Sequence, residues 1–304
     1  MEKISVVVNT LNEEENLPRA LSSLKGLADE IVVVDMKSTD ATLDIAQKAG
    51  AKVYEHERVG YVEPARNFAI GKATNGWILI LDADEEIPES LAEKLKEIAA
   101  KPKADYFRLP RKNINFGRWI RNSRWWPDYN IRFFRKGTVT WNEVIHSVPM
   151  TTGQGADIPA EEKYAIIHHN YSSIGKYIER MNRYTDIQAR MLSQSGYKFI
   201  WKDLIRKPVS EFLSRYFAGE GYKDGLHGFT LACLQGISEY ILYLKVWQSE
   251  KFVTQGFSIG ELSSEINSAK SQFNWWKLDP IIKTKNFLVS LPLRIYRRIF
   301  SENG

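Results

Sequence analysis

Residues 77 to 90, WILILDADEEIPES, constrain the fold more than any other stretch. An apolar run too short for most helices stops at two aspartates two positions apart. Ile78, Leu79, Ile80 and Leu81 show no polar alternation, which suits a strand buried on both faces in a parallel sheet. Ligands of such sheets gather at the carboxyl ends of the strands, where Asp82 and Asp84 would emerge. Side chains at i and i+2 of an extended segment share a face. Two carboxylates there could serve one ligand, one accepting from ribose hydroxyls and the other holding a divalent metal on a pyrophosphate. The competing reading is an acidic helix start, because Glu85, Glu86 and Glu89 follow and Pro88 sits where a helix would begin. The pair alone gives both readings equal weight.

The preceding residues shift that balance. Ile4 to Val8 reads as a buried strand, followed by NTLNEEENLPRAL with Asn12 as a helix cap. Ile31 to Val34 reads as a second strand ending in Asp35, then KSTD and another helix. Residues 52–56 predict a third strand and 62–74 a helix, so strand and helix alternate through the first 100 residues. Alternation of this kind implies an α/β chain with a parallel sheet and right-handed crossovers. Three strand ends carry polar clusters: Asn9, Thr10, Asn12 and Glu13; Asp35, Ser38 and Asp40; Asp82 and Asp84. Caps and turns account for any one of these, but not easily for three on a common edge. The absence of GxGxxG after Val8 and of GxxxxGK[ST] anywhere argues against a dinucleotide oxidoreductase or a P-loop nucleotidase. A diphosphate site without a glycine cradle needs another source of positive charge, and a metal on Asp84 would supply it.

In order and spacing, VVVNTLNEEENL, VVVDMKSTDAT, ARNFAI and LILDADE resemble the donor half of family 2 inverting glycosyltransferases of GT-A fold. Further on, RWWPDYNIRFFRKG, HHNYSSIGKYIERMNRYT and YFAGEGYKDGLHGFTLACL are similar to the subgroup containing bacterial lipopolysaccharide core glucosyltransferases. The resemblance implies a Rossmann-like, mostly parallel sheet flanked by helices, with a helical C-terminal extension. Residues 1–100 would form the donor-binding half, 101–172 the acceptor-side half of the same catalytic domain, and 173–304 the extension. It also implies a nucleotide-sugar donor, pointing to a UDP-hexose, and a divalent metal, Mn or Mg. Thr10, Asn12 and Glu13 would border the donor, Asp35 would recognise the nucleobase, Asp82 the ribose, and Arg66 would approach the diphosphate. Asp84 would hold the metal, with His168 completing the site. One departure stands out: the family commonly has a small Gly or Ser after the position of Asp35, whereas this chain has Met36 and Lys37, so the turn would be shaped differently.

An inverting transfer needs a base to take the acceptor's proton as it attacks the anomeric carbon, worth roughly 10²- to 10⁴-fold. TVTWNEVIHSVP, read as extended, offers Glu143 and His146. Related sequences often read His-Glu here, but Ser147 follows His146, which leaves the base open between Glu143 first, His146 second and Asp128 third.

Charge is unevenly distributed. Residues 1–100 hold 11 basic and 19 acidic side chains, whereas 101–136 hold 11 and 2. Arg108, Arg111, Arg118, Arg121 and Arg124 interleave there with Trp119, Trp125, Trp126 and Tyr129, a chemistry suited to an anionic glycan or lipid-linked saccharide acceptor. Nucleic acid would use the same chemistry, but the neighbouring acidic half would repel a polyanion, and it is not expected as a partner. Cys233 is the single cysteine, fitting a reducing compartment, and no secretory signal is evident, so a cytoplasmic enzyme is expected. Residues 281–300 combine Phe287, Leu288, Leu291, Ile295, Ile299 and Phe300 with five basic residues, a pattern that could lie on an anionic inner leaflet or fold back on its own domain. Rivals to the main reading are transfer to a polyprenyl phosphate, which needs no base, and a catalytically silent sugar-binding scaffold.

Overall fold

The structure is a computed structural model and describes residues 2–58, 63–141 and 149–301. It divides into two compact units, Met1–Ile114 with Trp126–Asn170, and Asn115–Trp125 with Tyr171–Gly304.

In the first unit the expected alternation is present. β1 Ile4–Thr10, α1 Leu17–Ser23, β2 Glu30–Asp35, α2 Thr42–Lys48, β3 Lys52–Glu55, α3 Glu63–Lys72 and β4 Trp77–Asp82 follow in order. Beyond them come β5 Glu85–Glu86, α4 Glu89–Ala100, β6 Tyr106–Leu109, β7 Arg111–Asn115, β8 Arg118–Trp119, β9 Asn130–Arg135, β10 Val139–Thr140, β11 Met150–Thr151, β12 Gly155–Asp157 and β13 Ile166–Tyr171. The main sheet runs β12-β6-β9-β4-β1-β2-β3, and β5, β13 and β7 belong to a smaller one. β1 lies parallel to β2 and β4, whereas β9 runs antiparallel to β4 and β6. The parallel register sets Thr10 beside Asp35 and Asn9 beside Asp82, which brings the expected polar clusters to one sheet edge.

Every residue of β1 is buried, as suits a mostly apolar strand in the middle of a parallel sheet. Val6 and Val8 pack with Leu17 and Leu21 of α1 and with Leu91 and Leu95 of α4, where Trp77 stacks on Phe133 at 4.6 Å. Val7, Val34 and Ile80 pack on the other face with Ala69 and Ile70 of α3 and with Trp141. A sheet covered on both faces leaves its strand ends as the place where polar groups meet a ligand.

The second unit is helical: α5 Ile174–Gln194, α6 Asp203–Leu213, α7 Gly225–Ser249, α8 Ile259–Thr284 and α9 Phe287–Ser301. Asn115–Trp125, read from sequence as acceptor-side, belongs to this unit because Ile120 is buried against Tyr177 and Leu231. Ser173 caps α5, and Ser258 with Glu261 forms a capping box on α8. Gly228 lets α7 approach the preceding turn, since a Cβ there would stand 1.8 Å from the Gly221 carbonyl oxygen. No helix among the described residues is long and apolar enough to cross a membrane.

Candidate active site

The acidic strand end does not stay extended. The chain turns at Ala83 and Asp84 before entering β5, so the two aspartates point to different partners rather than sharing a face. Asp82 accepts from Arg66 at 3.0 Å and from Arg132. The Asp84 carboxylate lies beside the His168 imidazole instead, with Oδ2 3.4 Å from Nε2. Backbone geometry fixes this approach: β13 pairs His168 opposite Glu85, and the His169 N–H donates to the Asp84 carbonyl at 2.9 Å.

Glu85 is the keystone beneath the turn. Its side chain is 0 % exposed and accepts from Arg132 at 2.8 Å, from Arg111 at 3.3 Å and from the Asp82 N–H at 2.9 Å. Arg132 is itself buried and bridges Glu85 to Asp82. Burial alone would push the Asp82 carboxyl up, but Arg132 and Arg66 outweigh it and hold the group far below the usual carboxylate range. The same pairing raises the Arg132 pKa against the effect of burial.

A second chain of hydrogen bonds sets the histidine. Asp128 accepts from Arg111 at 2.7 and 2.9 Å and from the Asn113 amide nitrogen at 3.0 Å. Burial raises its pKa, yet Arg111 and these hydrogen bonds bring it below the ordinary value, so it is an ionised acceptor. An acceptor there obliges Asn113 to turn its amide oxygen to His168, whose Nδ1 lies 2.6 Å away and must donate. In the neutral ring this leaves Nε2 as the lone-pair nitrogen facing Asp84. Histidines that ligate metals are held this way, by a hydrogen bond from the other ring nitrogen.

The donor set therefore fits a borderline divalent metal. Such metals accept mixed oxygen and imidazole ligands, and in nucleotide sites take one or two protein ligands with phosphate oxygens and water. Among the described residues, no group of three or more His, Cys, Asp or Glu side chains is arranged to hold a metal. Asp84 and His168 fit one only together with oxygens from a ligand.

At the neighbouring strand ends, Asp35 is 0 % exposed and accepts from Thr10 Oγ1 at 2.9 Å, the Ser38 N–H at 2.7 Å and the Ser38 hydroxyl. Asn12 does not cap α1, which begins at Leu17 after Asn16; its side-chain oxygen instead accepts from the Thr39 N–H at 2.8 Å. The Asn12 N–H donates to Ser38 Oγ and the Glu13 N–H to Thr42 Oγ1, each at 2.8 Å, so these residues staple the loops after β1 and β2 together. Asn12 at φ +55° and Lys37 at φ +62° carry left-handed backbone, which explains why a small residue would suit the turn after Asp35. Asn9 belongs to the same polar cluster at the end of β1. It is buried beside Asp82, and neither atom of its amide finds a partner among the described residues.

Glu143 and His146 lie outside the described residues. Trp141, just before them, is clamped by Asn67, which donates to its carbonyl at 2.6 Å and accepts its N–H at 2.9 Å. Sequence reading missed Glu85, Asn113 and Arg132 as members of the site. The available signal was Arg132 itself, a cation inside the strand NIRFFR, which can be buried only against carboxylates.

Comparison with known proteins bears on this geometry. The profile of glycosyl transferase family 2 matches residues 5–153. An uncharacterised glycosyltransferase of Rickettsia typhi is 30% identical over 258 residues, 81% of this chain and 87% of that protein. The lipopolysaccharide core biosynthesis glycosyltransferase LpsC of Rhizobium meliloti is 28% identical over 256 residues, 81% of this chain and 92% of LpsC. The crystal structure of S. aureus TarS 1-349 in complex with UDP aligns at 18% identity and a TM-score of 0.46, covering 84% of this chain and 94% of that one. Likeness across four-fifths of the chain reaches well past the sheet into the helical unit, and on that extent this chain belongs to the family 2 glycosyltransferases, with a GT-A fold.

Proposed function

We propose that the protein is a metal-dependent inverting glycosyltransferase that moves a hexose from a UDP-linked donor to a bacterial surface glycan or lipid-linked saccharide. The observation that carries this reading is the Asp84–His168 pair, in which Asn113 and Asp128 preset the imidazole with Nε2 toward the carboxylate. A bound divalent metal would stabilise charge on the departing nucleoside diphosphate. Arg66 and Arg132 add fixed positive charge beside it, and a phosphate that draws Arg66 away from Asp82 leaves an aspartate oxygen for ribose hydroxyls. The unpartnered Asn9 amide offers a donor and an acceptor to the same ligand. Asp35, Asn12 and Glu13 act through the stapled loops that form the nucleobase side.

Glu143 keeps first place as the base and His146 second. Asp128 falls well behind, because Arg111 and Asn113 stabilise its charged form and make it a poor proton acceptor. The printed name of LpsC supports a lipopolysaccharide-type acceptor. The basic tail supports a site at the anionic inner face of the cell membrane, with the enzyme otherwise cytoplasmic.

The test is transfer of labelled hexose from a panel of UDP-sugars to a bacterial glycolipid fraction, with the anomeric configuration of the product read by NMR. An inverted linkage, reduced about 10²-fold or more in Glu143→Gln, supports the reading. A retained configuration contradicts it. Undiminished turnover in Glu143→Gln, His146→Gln and Asp128→Asn alike would favour an acceptor that is already anionic, such as a polyprenyl phosphate.

A further inference from the structure

Around Asp82, several buried polar atoms have no hydrogen-bond partner among the described residues: both atoms of the Asn9 amide, Arg66 Nε, and Arg132 Nε and Nη1. Each guanidinium is nevertheless tied to Asp82 through Nη2. Asn9 has no such tie, although it is only 8 % exposed. A carboxamide left buried and unpaired is costly, so in a native fold it calls for a partner that the chain does not itself supply.

The sheet determines which part of a ligand the amide meets. Side chains alternate along a strand, so Asn9 lies on the face of Val7, and Asp82 on the face of Ile80. Val7 and Ile80 pack together against Ala69 and Ile70 of α3. Arg66 precedes those two by three and four positions on the same helical stripe, and its bond to Asp82 agrees with that face. β1 and β4 pair in parallel with Asn9 opposite Asp82, so amide and carboxylate stand side by side at the strand ends. Asp35 belongs to the other face: it lies two positions beyond Val33, which packs in one cluster with Val8 and α1, and it accepts from Thr10 Oγ1 at 2.9 Å. Asn9 is thus grouped with the proposed ribose carboxylate and set apart from the proposed nucleobase carboxylate.

We propose that Asn9 is a specificity-determining residue that reads the ribose and restricts the donor to sugars carried on ribonucleotides. The proposal rests on the nucleotide-sugar reading given above, in which Asp82 accepts from ribose. A ribose presents two adjacent hydroxyls, each a donor and an acceptor, and the carboxylate and carboxamide form a matching pair. A 2′-deoxyribose has a single hydroxyl for both groups. Asp82, held ionised by its arginines, is the stronger acceptor and takes it, so the amide stays buried and unpaired. Sites built to bond a hydroxyl reject the analogue lacking it for this reason. Sugars carried on deoxythymidine diphosphate are thereby disfavoured as donors.

Calorimetric titration of the full-length protein with UDP and with 2′-deoxy-UDP, both in the presence of manganese, tests this in the parent and in Asn9→Leu and Asn9→Ala. The parent should bind UDP at least about tenfold more tightly than 2′-deoxy-UDP. In the variants, UDP affinity should fall about tenfold while 2′-deoxy-UDP affinity stays within about twofold, so that the preference collapses. Asn9→Leu, close in shape, should unfold at the parent's Tm or above when nucleotide is left out, because the amide loses no partner within the chain. Equal affinity of the parent for UDP and 2′-deoxy-UDP overturns the proposal without recourse to any variant, and leaves the donor reading standing. Both nucleotides weakened alike in the variants, with or without a lowered Tm, assigns the amide a structural role and overturns it too. Binding of no nucleoside diphosphate by folded parent protein strikes the donor reading itself, and the ribose assignment with it.

Discussion

At the scale of single residues, the acidic strand end depends on one guanidinium. Arg132 is 2 % exposed and joins Asp82 to the fully buried Glu85, so removing it leaves two carboxylates short of compensation. Arg132→Met is expected to cost about 3–5 kcal/mol in urea unfolding, the range for breaking a buried ion pair from one side. A loss below about 1 kcal/mol would mean that the pair is not buried in solution. Asn113 acts more finely. Asn113→Ala removes the acceptor that orients His168, and should raise the manganese concentration for half-activation about 10- to 100-fold while leaving the fold intact. Asp82, Asp84 and His168 could be named from sequence as candidates because a strand exit and the family resemblance point to them. Their supports were not: Asn113 and Arg132 are 55 and 47 positions in sequence from the residues they hold, and only the paired strands bring them together.

At the scale of elements, the far end of the sheet has its own anchor. Glu30 accepts from the Ser5 hydroxyl on β1, from Lys52 on β3 at 2.7 Å, and from the N–H and hydroxyl of Thr74, just before β4, at 2.7 and 2.9 Å. Burial pushes its carboxyl up, but the bonds from Lys52, Ser5 and Thr74 prevail and lower it from 4.5 to about 2. An acid depressed on folding stabilises the protein above its unfolded value, and that contribution is lost as pH falls from 4.5 toward about 2. Glu30→Gln should therefore lower stability at pH 7 by about 1–3 kcal/mol, with the gap to the parent narrowing in unfolding measured at low pH. Catalysis should be unaffected, since Glu30 begins β2 and the site lies where β1, β2 and β4 end. Helix packing gives a second expectation: Gly228→Ala forces a Cβ into the Gly221 carbonyl and should destabilise the protein by about 1–3 kcal/mol, read as a lower Tm. Strands β1, β2 and β4 could be read from sequence because each is a mostly apolar run, and the short edge strand β3, KVYE, because it falls where the strand-helix alternation requires one. The two-residue β5 could not, because Glu85 and Glu86 look like a helix start until their partners are known.

At the scale of the whole molecule, charge and apolar surface are divided by role. The acidic first hundred residues contribute Asp82 and Asp84 to the proposed metal and nucleotide edge, while the helical unit gathers exposed apolar residues and a basic tail. The strand-helix alternation followed from periodicity, and the family resemblance implied the helical extension and located the donor half. The transfer of residues 115–125 to the helical unit was not visible, since Ile120 becomes a core residue only against Tyr177 and Leu231. The measurement that tests the central claim most directly is calorimetric titration of the full-length protein with UDP, with and without manganese, alongside Asp84→Ala and His168→Ala. Binding that requires manganese and is lost or weakened at least about tenfold in both variants is the expected result. Equal binding with and without metal, or unchanged binding in both variants, would contradict a metal-held diphosphate at this strand end.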